Sequence, residues 1–233
     1  MRKVAVFVEG MTEQRFVVNL VEELLGNKAA LIQRGELHKG AINYQPITGT
    51  RSDTAATVMV LVVDCRGDEQ VKTQIRDQYQ WLVAAGYGAI LGLRDVYPFL
   101  RAKIPNLQAA LNAGLPTYPV VPSMHLAVME IEAWFIAETT HFDRLHPALT
   151  VAAIGAGGFN VHQPCEAWNH PAETLDEIYK LVGCRYLKRD GSKSNRRVSR
   201  TLKALSFDRL YEVNRPAIVA LDAFVFAIEG AIF

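Results

Sequence analysis

The sequence predicts an α/β protein: a mostly parallel sheet flanked by helices, followed by a mainly helical C-terminal extension. Three observations carry this reading. Short apolar runs at residues 3–8, 58–63 and 87–93, the first of them β-branched, read as strands. Segments with helical apolar spacing lie between them, and strands alternating with helices build parallel sheets. Past residue 140 the strand-like runs stop and helical pieces take over. With ~150 residues per domain as a guide, 233 residues divide into an α/β domain over 1–140 and an extension over 141–233 that packs on it.

The elements follow in order. The run at 3–8 ends in Glu9-Gly10. Thr12 is the expected cap of a helix over 13–25, where Phe16, Val17, Leu20, Val21 and Leu24 repeat at helical spacing and Gly26 closes the turn. Residues 30–33 and 44–48 read as weaker strands around a polar loop. The run at 58–63 ends in Asp64-Cys65-Arg66-Gly67-Asp68, and a helix over 69–85 is closed by Gly86. The run at 87–93 ends in Arg94-Asp95. A helix is expected over 104–112, a short strand flanked by prolines over 117–121, and a helix over 125–138, where little interrupts it. Residues 152–158 are rich in Gly and Ala, and 159–171 holds two His and two Pro, so this stretch reads as loop. Helical pieces follow at 173–182, 196–205 and 216–231.

Half the residues are hydrophobic and 21% are charged, which excludes a disordered chain, a coiled coil and a collagen-like repeat. The longest apolar runs, such as 58–63 and 223–228, fall far short of the ~20 residues a membrane-spanning helix needs. The apolar run after Met1-Arg2-Lys3 is too short for an export signal, so a cytoplasmic protein is expected. Three cysteines, an odd number, argue against a disulfide framework there. The net charge of +1 excludes a wholly basic nucleic-acid binder but hides an asymmetry. Residues 185–215 carry ten Lys/Arg against Asp190, Asp208 and Glu212, while the rest of the chain holds 15 basic and 21 acidic residues. A basic segment set against an acidic body points to a phosphate-facing patch beside a metal site.

The acids fall at informative places. Glu9, Asp64 and Asp95 each follow an apolar strand, and the carboxyl ends of parallel strands form the ligand-binding edge of open α/β sheets. Like charges gathered there raise one another's pKa unless a cation neutralises them. Mg²⁺, held by one or two carboxylates and several waters, suits such oxygen ligands and can orient a phosphodiester and activate water. The bland alternative for each acid is a solvated loop residue, and residues 64–68 would make a good turn.

Val6-Phe7-Val8-Glu9-Gly10-Met11-Thr12-Glu13, followed by an amphipathic helix, resembles the first motif of the TOPRIM fold, the metal-binding domain shared by topoisomerases, primases and overcoming-lysogenization-defect (OLD) nucleases. The resemblance implies that Glu9 is a general acid/base or metal-linked acid and that Gly10 permits a tight turn. Glu13 falls on the first helical turn, where its charge suits the helix N-terminus. Leu93-Arg94-Asp95-Val96-Tyr97-Pro98 and the segment from His125 to Phe135, with Glu130-Ile131-Glu132-Ala133-Trp134, resemble motifs of the bacterial domain-of-unknown-function family four-two-seven-six, itself TOPRIM-like. Together these matches span about 1–138. One departure stands out: the standard pattern has Asp-x-Asp, and here Tyr97 occupies the second acid position. A further metal carboxylate would then come from Asp64, Asp68, Glu130 or Glu132.

Two residues apart on a helix, Glu130 and Glu132 would point about 200° apart. Glu132 shares a largely apolar face with His125, Val128, Met129 and Phe135, where a lone charge is costly, so a paired or metal-bound role is expected of it; the resemblance also favours it. His125 reads more simply as a core hydrogen-bonding residue than as a phosphate contact, and Trp134 and Phe135 as core. His162, Cys165, His170 and Cys184 do not match zinc-finger spacing. Gly155, Gly157 and Gly158 are not followed by the Gly-Lys-Ser/Thr of a phosphate loop, which speaks against nucleotide hydrolysis by this chain.

Residues 188–197, continuing to Arg200 and Lys203, offer phosphate contacts through Lys188, Arg189, Lys193, Arg196 and Arg197; the alternative is a solvated loop leading into a charged helix face. By analogy with nucleases of the resembling fold, Lys193 would stabilise developing phosphate charge. The combined expectation is a Mg²⁺- or Mn²⁺-dependent nuclease acting on DNA or RNA, with Glu9 and Lys193 as catalytic residues and Glu9, Asp64, Asp95 and Glu132 as metal ligands. The resemblance adds an ATPase partner in phage defence. The rival readings are a non-catalytic TOPRIM-like binding or assembly module, favoured by Tyr97, and a metal-dependent phosphatase or phosphotransferase.

Overall fold

A computed structural model describes residues 1–49, 55–67 and 69–233. Strand β1 (Arg2–Val8) leads into helix α1 (Met11–Leu25). Then come β2 (Ala30–His38), β3 (Ala41–Tyr44), β4 (Thr48–Gly49), β5 (Val58–Asp64), α2 (Gln70–Ala84) and β6 (Ala89–Asp95). Helix α3 (Ile104–Asn112) and β7 (Ser123–Ala127) complete the sheet-forming part. The remainder is helical: α4 (Glu132–Ala137), α5 (His141–Leu145), α6 (Val151–Ala156), α7 (Pro171–Lys180), α8 (Asn195–Ala204), the short α9 (Phe207–Arg209) and α10 (Val219–Ile232).

The expected architecture is present: a sheet ordered β3-β2-β5-β1-β6-β7, in which β2, β5, β1 and β6 run parallel, with β3 and β4 antiparallel to β2. Residues 4–8 of β1 are buried, as a strand covered on both faces requires, and α1 buries Phe16, Val17, Leu20 and Val21. α1 packs on β5 and β2, while α2 packs on β6 and β1. No helix of the described residues is long and apolar enough to cross a membrane.

Two compact units divide the chain. One comprises Met1–Asp95, Ala102–Leu126 and Ala223–Phe233; the other comprises Val96–Arg101 and Ala127–Asp222. The division therefore falls at Ala127, not near residue 140, and the last eleven residues belong with the sheet. The second unit is built around Trp134, Phe135, Phe142 and Tyr179, all buried. In it, the Tyr179 hydroxyl bridges His141 Nε2 and Thr201 Oγ1.

Several local expectations are corrected. Residues 125–127 belong to β7, not to a helix, and α4 starts only at Glu132. The intervening turn holds Met129 at φ 64° in the left-handed region. Burial alternates over residues 123–126, as an edge strand requires, and pairing within the sheet fixes it there. Residues 117–121 form no strand: Pro116, Pro119 and Pro122 lack the N–H that a ladder needs, and the strand begins at Ser123. Thr12 is not a cap; Gly10 holds that position and Thr12 is buried inside the first turn. Part of the expected 152–158 loop is helical, since α6 starts at Val151 with Thr150 Oγ1 accepting from Ala153 N–H.

Candidate functional site

The first unit gathers its acids at the carboxyl edge of the sheet. Val8 is in register with Asp64 of β5 and Leu93 of β6, so Glu9, Asp64 and Asp95 all lie within two residues of one level. The chain leaves β1 through α1 toward β5 and β2 but leaves β6 toward β7. Adjacent strands whose connections diverge in this way form the switch point at which open α/β sheets bind ligands. Gln14 on α1 fixes the edge further, donating from Nε2 to Gly35 O (2.7 Å) and Val62 O (2.9 Å).

Glu9 is buried, and its Oε1 accepts from Asp95 N–H at 3.0 Å. The Arg94 guanidinium lies 3.5 Å from the same oxygen. Arg94 thus supplies part of the neutralising charge that gathered carboxylates demand, a role the residues alone had assigned to a metal ion. Asp64 Oδ1 accepts from Arg66 N–H at 2.8 Å, and its Oδ2 accepts no hydrogen bond among the described residues. Burial pushes the Asp64 carboxyl above its ordinary range. Gly10 has extended backbone, which any residue adopts; a Cβ there would meet Glu13 Oε2 at 3.1 Å. Its glycine admits the folded-back Glu13 carboxylate and is not required by a left-handed turn.

Among the described residues, no group of three or more His, Cys, Asp or Glu side chains gathers to hold a metal ion, at the sheet edge or around His162, Cys165, His170 and Cys184. Asp68 lies outside the described residues. The donor set does not fit a closed protein cage. Its chemistry suits a water-rich Mg²⁺ held by one or two carboxylates, and Asp64, whose Oδ2 accepts no hydrogen bond among the described residues, is a candidate donor.

The second unit holds the other expected residues. Glu132 is fully buried, and its Oε1 accepts from the Tyr186 hydroxyl at 2.6 Å and pairs with Lys193 Nζ at 2.7 Å. Its Oε2 has no hydrogen-bond partner among the described residues. Asp176 sets Tyr186 in place by accepting from the backbone N–H groups of Tyr186 and Leu187. Lys193 therefore meets a buried carboxylate, and it lies opposite Leu187 in an isolated antiparallel bridge. Glu130 precedes the helix, so the helical argument separating it from Glu132 does not apply. It accepts from Ala172 N–H at the start of α7. Burial first, and Glu132 second, push its carboxyl up to about 7. Tyr97 stacks edge-on against His170 at 5.6 Å. In the first unit, His125 Nε2 lies 3.1 Å from Ser123 Oγ.

Lys188 and Arg189 belong to an exposed turn closed by Lys188 N–H on Ser192 O. Arg196 and Arg197 begin α8, where Arg197 Nη1 donates to Leu187 O. Sequence reasoning misses Arg94, although it adjoins Asp95, because an arginine at a strand end has the pattern of solvated loop charge. Tyr186 and Arg144 are missed as well, because the bonds from Tyr186 to Glu132 and from Arg144 to Ala204 O span 54 and 60 residues and leave no local signal.

No family model and no curated protein matches the chain. Among solved structures, one match is a Lactobacillus plantarum protein described as a cell surface hydrolase, at 15% identity and a TM-score of 0.28. The match covers 41% of this chain and 41% of that one, and likeness at that level carries no argument.

Proposed function

We propose that this chain is a Mg²⁺- or Mn²⁺-dependent, TOPRIM-like nuclease acting on nucleic-acid phosphodiesters at the carboxyl edge of β1 and β6. The observation that carries the reading is the 3.0 Å bond from Asp95 N–H to Glu9 Oε1, which ties acid-bearing ends of adjacent parallel strands together at a switch point. Glu9, held by that bond, is the general base that takes a proton from the attacking water. Asp64 and Asp95 would hold the divalent ion together with waters, and the ion, when bound, polarises the phosphoryl oxygen and acidifies water. Arg94 lowers the net negative charge of the edge, which eases the approach of a phosphodiester. Glu132 and Lys193 brace each other within their own unit. Resemblance alone supplies an ATPase partner in phage defence as the setting.

The Arg94–Glu9 pair also favours a second reading, a binding or assembly module whose acids are neutralised without metal. Incubation of supercoiled plasmid with Mg²⁺ or Mn²⁺ decides between them. Nicking by the wild type that is lost in Glu9→Gln and Asp95→Asn supports the nuclease; no nicking by any of the three, with either ion, leaves the binding module.

A further inference from the structure

An open groove of about 680 Å³ lies between α5 and α8. Arg144, Arg196, Arg197, Arg200 and Lys203 line it with Ser199, and no acidic or aromatic residue does so among the described residues. At 3.6 residues per turn, Arg196, Ser199, Arg200 and Lys203 share one face of α8, spread over about 10 Å at 1.5 Å per residue. The opposite face is buried through Val198, Thr201 and Leu202. Three of the five cations are anchored. Arg144 donates from Nε to Ala204 O and from Nη2 to Glu138 Oε2, Arg197 donates to Leu187 O, and Arg200 donates to Arg185 O. Backbone carbonyls hold Arg197 and Arg200 in place without neutralising them. The side chains of Arg196 and Lys203 make no ion pair or hydrogen bond among the described residues.

We propose that the α5–α8 groove binds the phosphate backbone of a nucleic-acid duplex without reading its sequence. Fixed guanidinium forks match phosphate oxygens, and unpaired cations release condensed counterions on binding. Single-strand grooves add aromatic side chains on which bases stack, and this groove has none. A membrane-surface helix needs an apolar face to insert, and the apolar face of α8 is buried. The choice of polymer rests on the phosphodiester reading above, but binding is measured without metal or cleavage.

The test is fluorescence anisotropy in EDTA, with a labelled duplex DNA and its single strand across about 50–200 mM salt. Wild type binds the duplex more tightly than the single strand. Removing two cations with Arg196→Ala/Lys203→Ala reduces the log–log salt slope for the duplex by about 1.8. The charge-reversed pair Arg196→Glu/Lys203→Glu abolishes binding while keeping the wild-type melting temperature. An unchanged slope in the alanine pair, tighter binding of the single strand, or equal binding to anionic lipid vesicles overturns the proposal. Duplex binding without Mg²⁺-dependent nicking removes the nuclease reading and leaves the groove standing. Nicking that survives in an alanine pair with unaltered affinity removes the groove and leaves the nuclease.

Discussion

Glu9 and Glu132 are both buried glutamates beside a cation, and they meet their charge differently. Glu9 accepts a backbone N–H and has Arg94 at 3.5 Å, too long for a strong charge-assisted bond. Glu132 is sealed from solvent, with Lys193 at 2.7 Å and the Tyr186 hydroxyl at 2.6 Å on one oxygen. An acid at the carboxyl edge of a parallel sheet stands where open α/β sheets bind ligands. A tightly compensated one inside a helical unit serves packing, because uncovering a buried charge is costly. Glu138 extends the second case: it is buried, pairs with Arg144 at 2.6 Å, and accepts from Thr140 N–H and Ser206 N–H.

The sharpest way to break this contrast is to exchange the two outcomes by mutation. Glu9→Gln should lower metal-dependent cleavage by about 10²–10⁴-fold, the usual worth of a general base, while leaving the urea midpoint close to wild type. Lys193→Ala should do the reverse in kind, costing about 3 kcal/mol in urea denaturation because Glu132 is left buried without its cation. Adding Glu132→Gln to Lys193→Ala should recover part of that loss. Tyr186→Phe removes one hydrogen bond to a charged group and should cost about 1.5 kcal/mol by the same measurement. The smallest effect concerns pH. Glu130 has a folded pKa raised to about 7, so the folded state holds its proton longer than the unfolded chain. Its stabilising contribution is full below the unfolded carboxylate pKa and is lost as pH rises through about 7. Denaturation at pH 5 and pH 8 should show Glu130→Gln gaining on wild type at the higher pH.

The strands at 3–8 and 58–63 were legible because β-branched apolar runs buried on both faces have no other comfortable home, and their carboxyl-end acids came with them. The helix at 104–112 matches α3 residue for residue. Residues 125–138 read as one helix because Val128, Met129 and Phe135 recur at helical spacing, and only pairing within the sheet selects a strand for residues 123–127. The grouping of Lys193 with Glu132, or of Arg144 with α8, depends on long-range packing that no local pattern encodes. Arg94 is the same case: an arginine beside a strand-end acid reads as loop charge, and only the fold sets its guanidinium next to Glu9.

Whether the carboxyl edge of β1 and β6 takes a divalent cation is read by thermal shift of wild type and Asp95→Asn against Mg²⁺ and Mn²⁺. At about 100 times the dissociation constant, bound metal adds about 2.7 kcal/mol to wild-type stability. A saturable rise in melting temperature is expected for wild type and a much weaker one for Asp95→Asn. Equal shifts in both proteins, or none in either, would contradict a metal site at this edge.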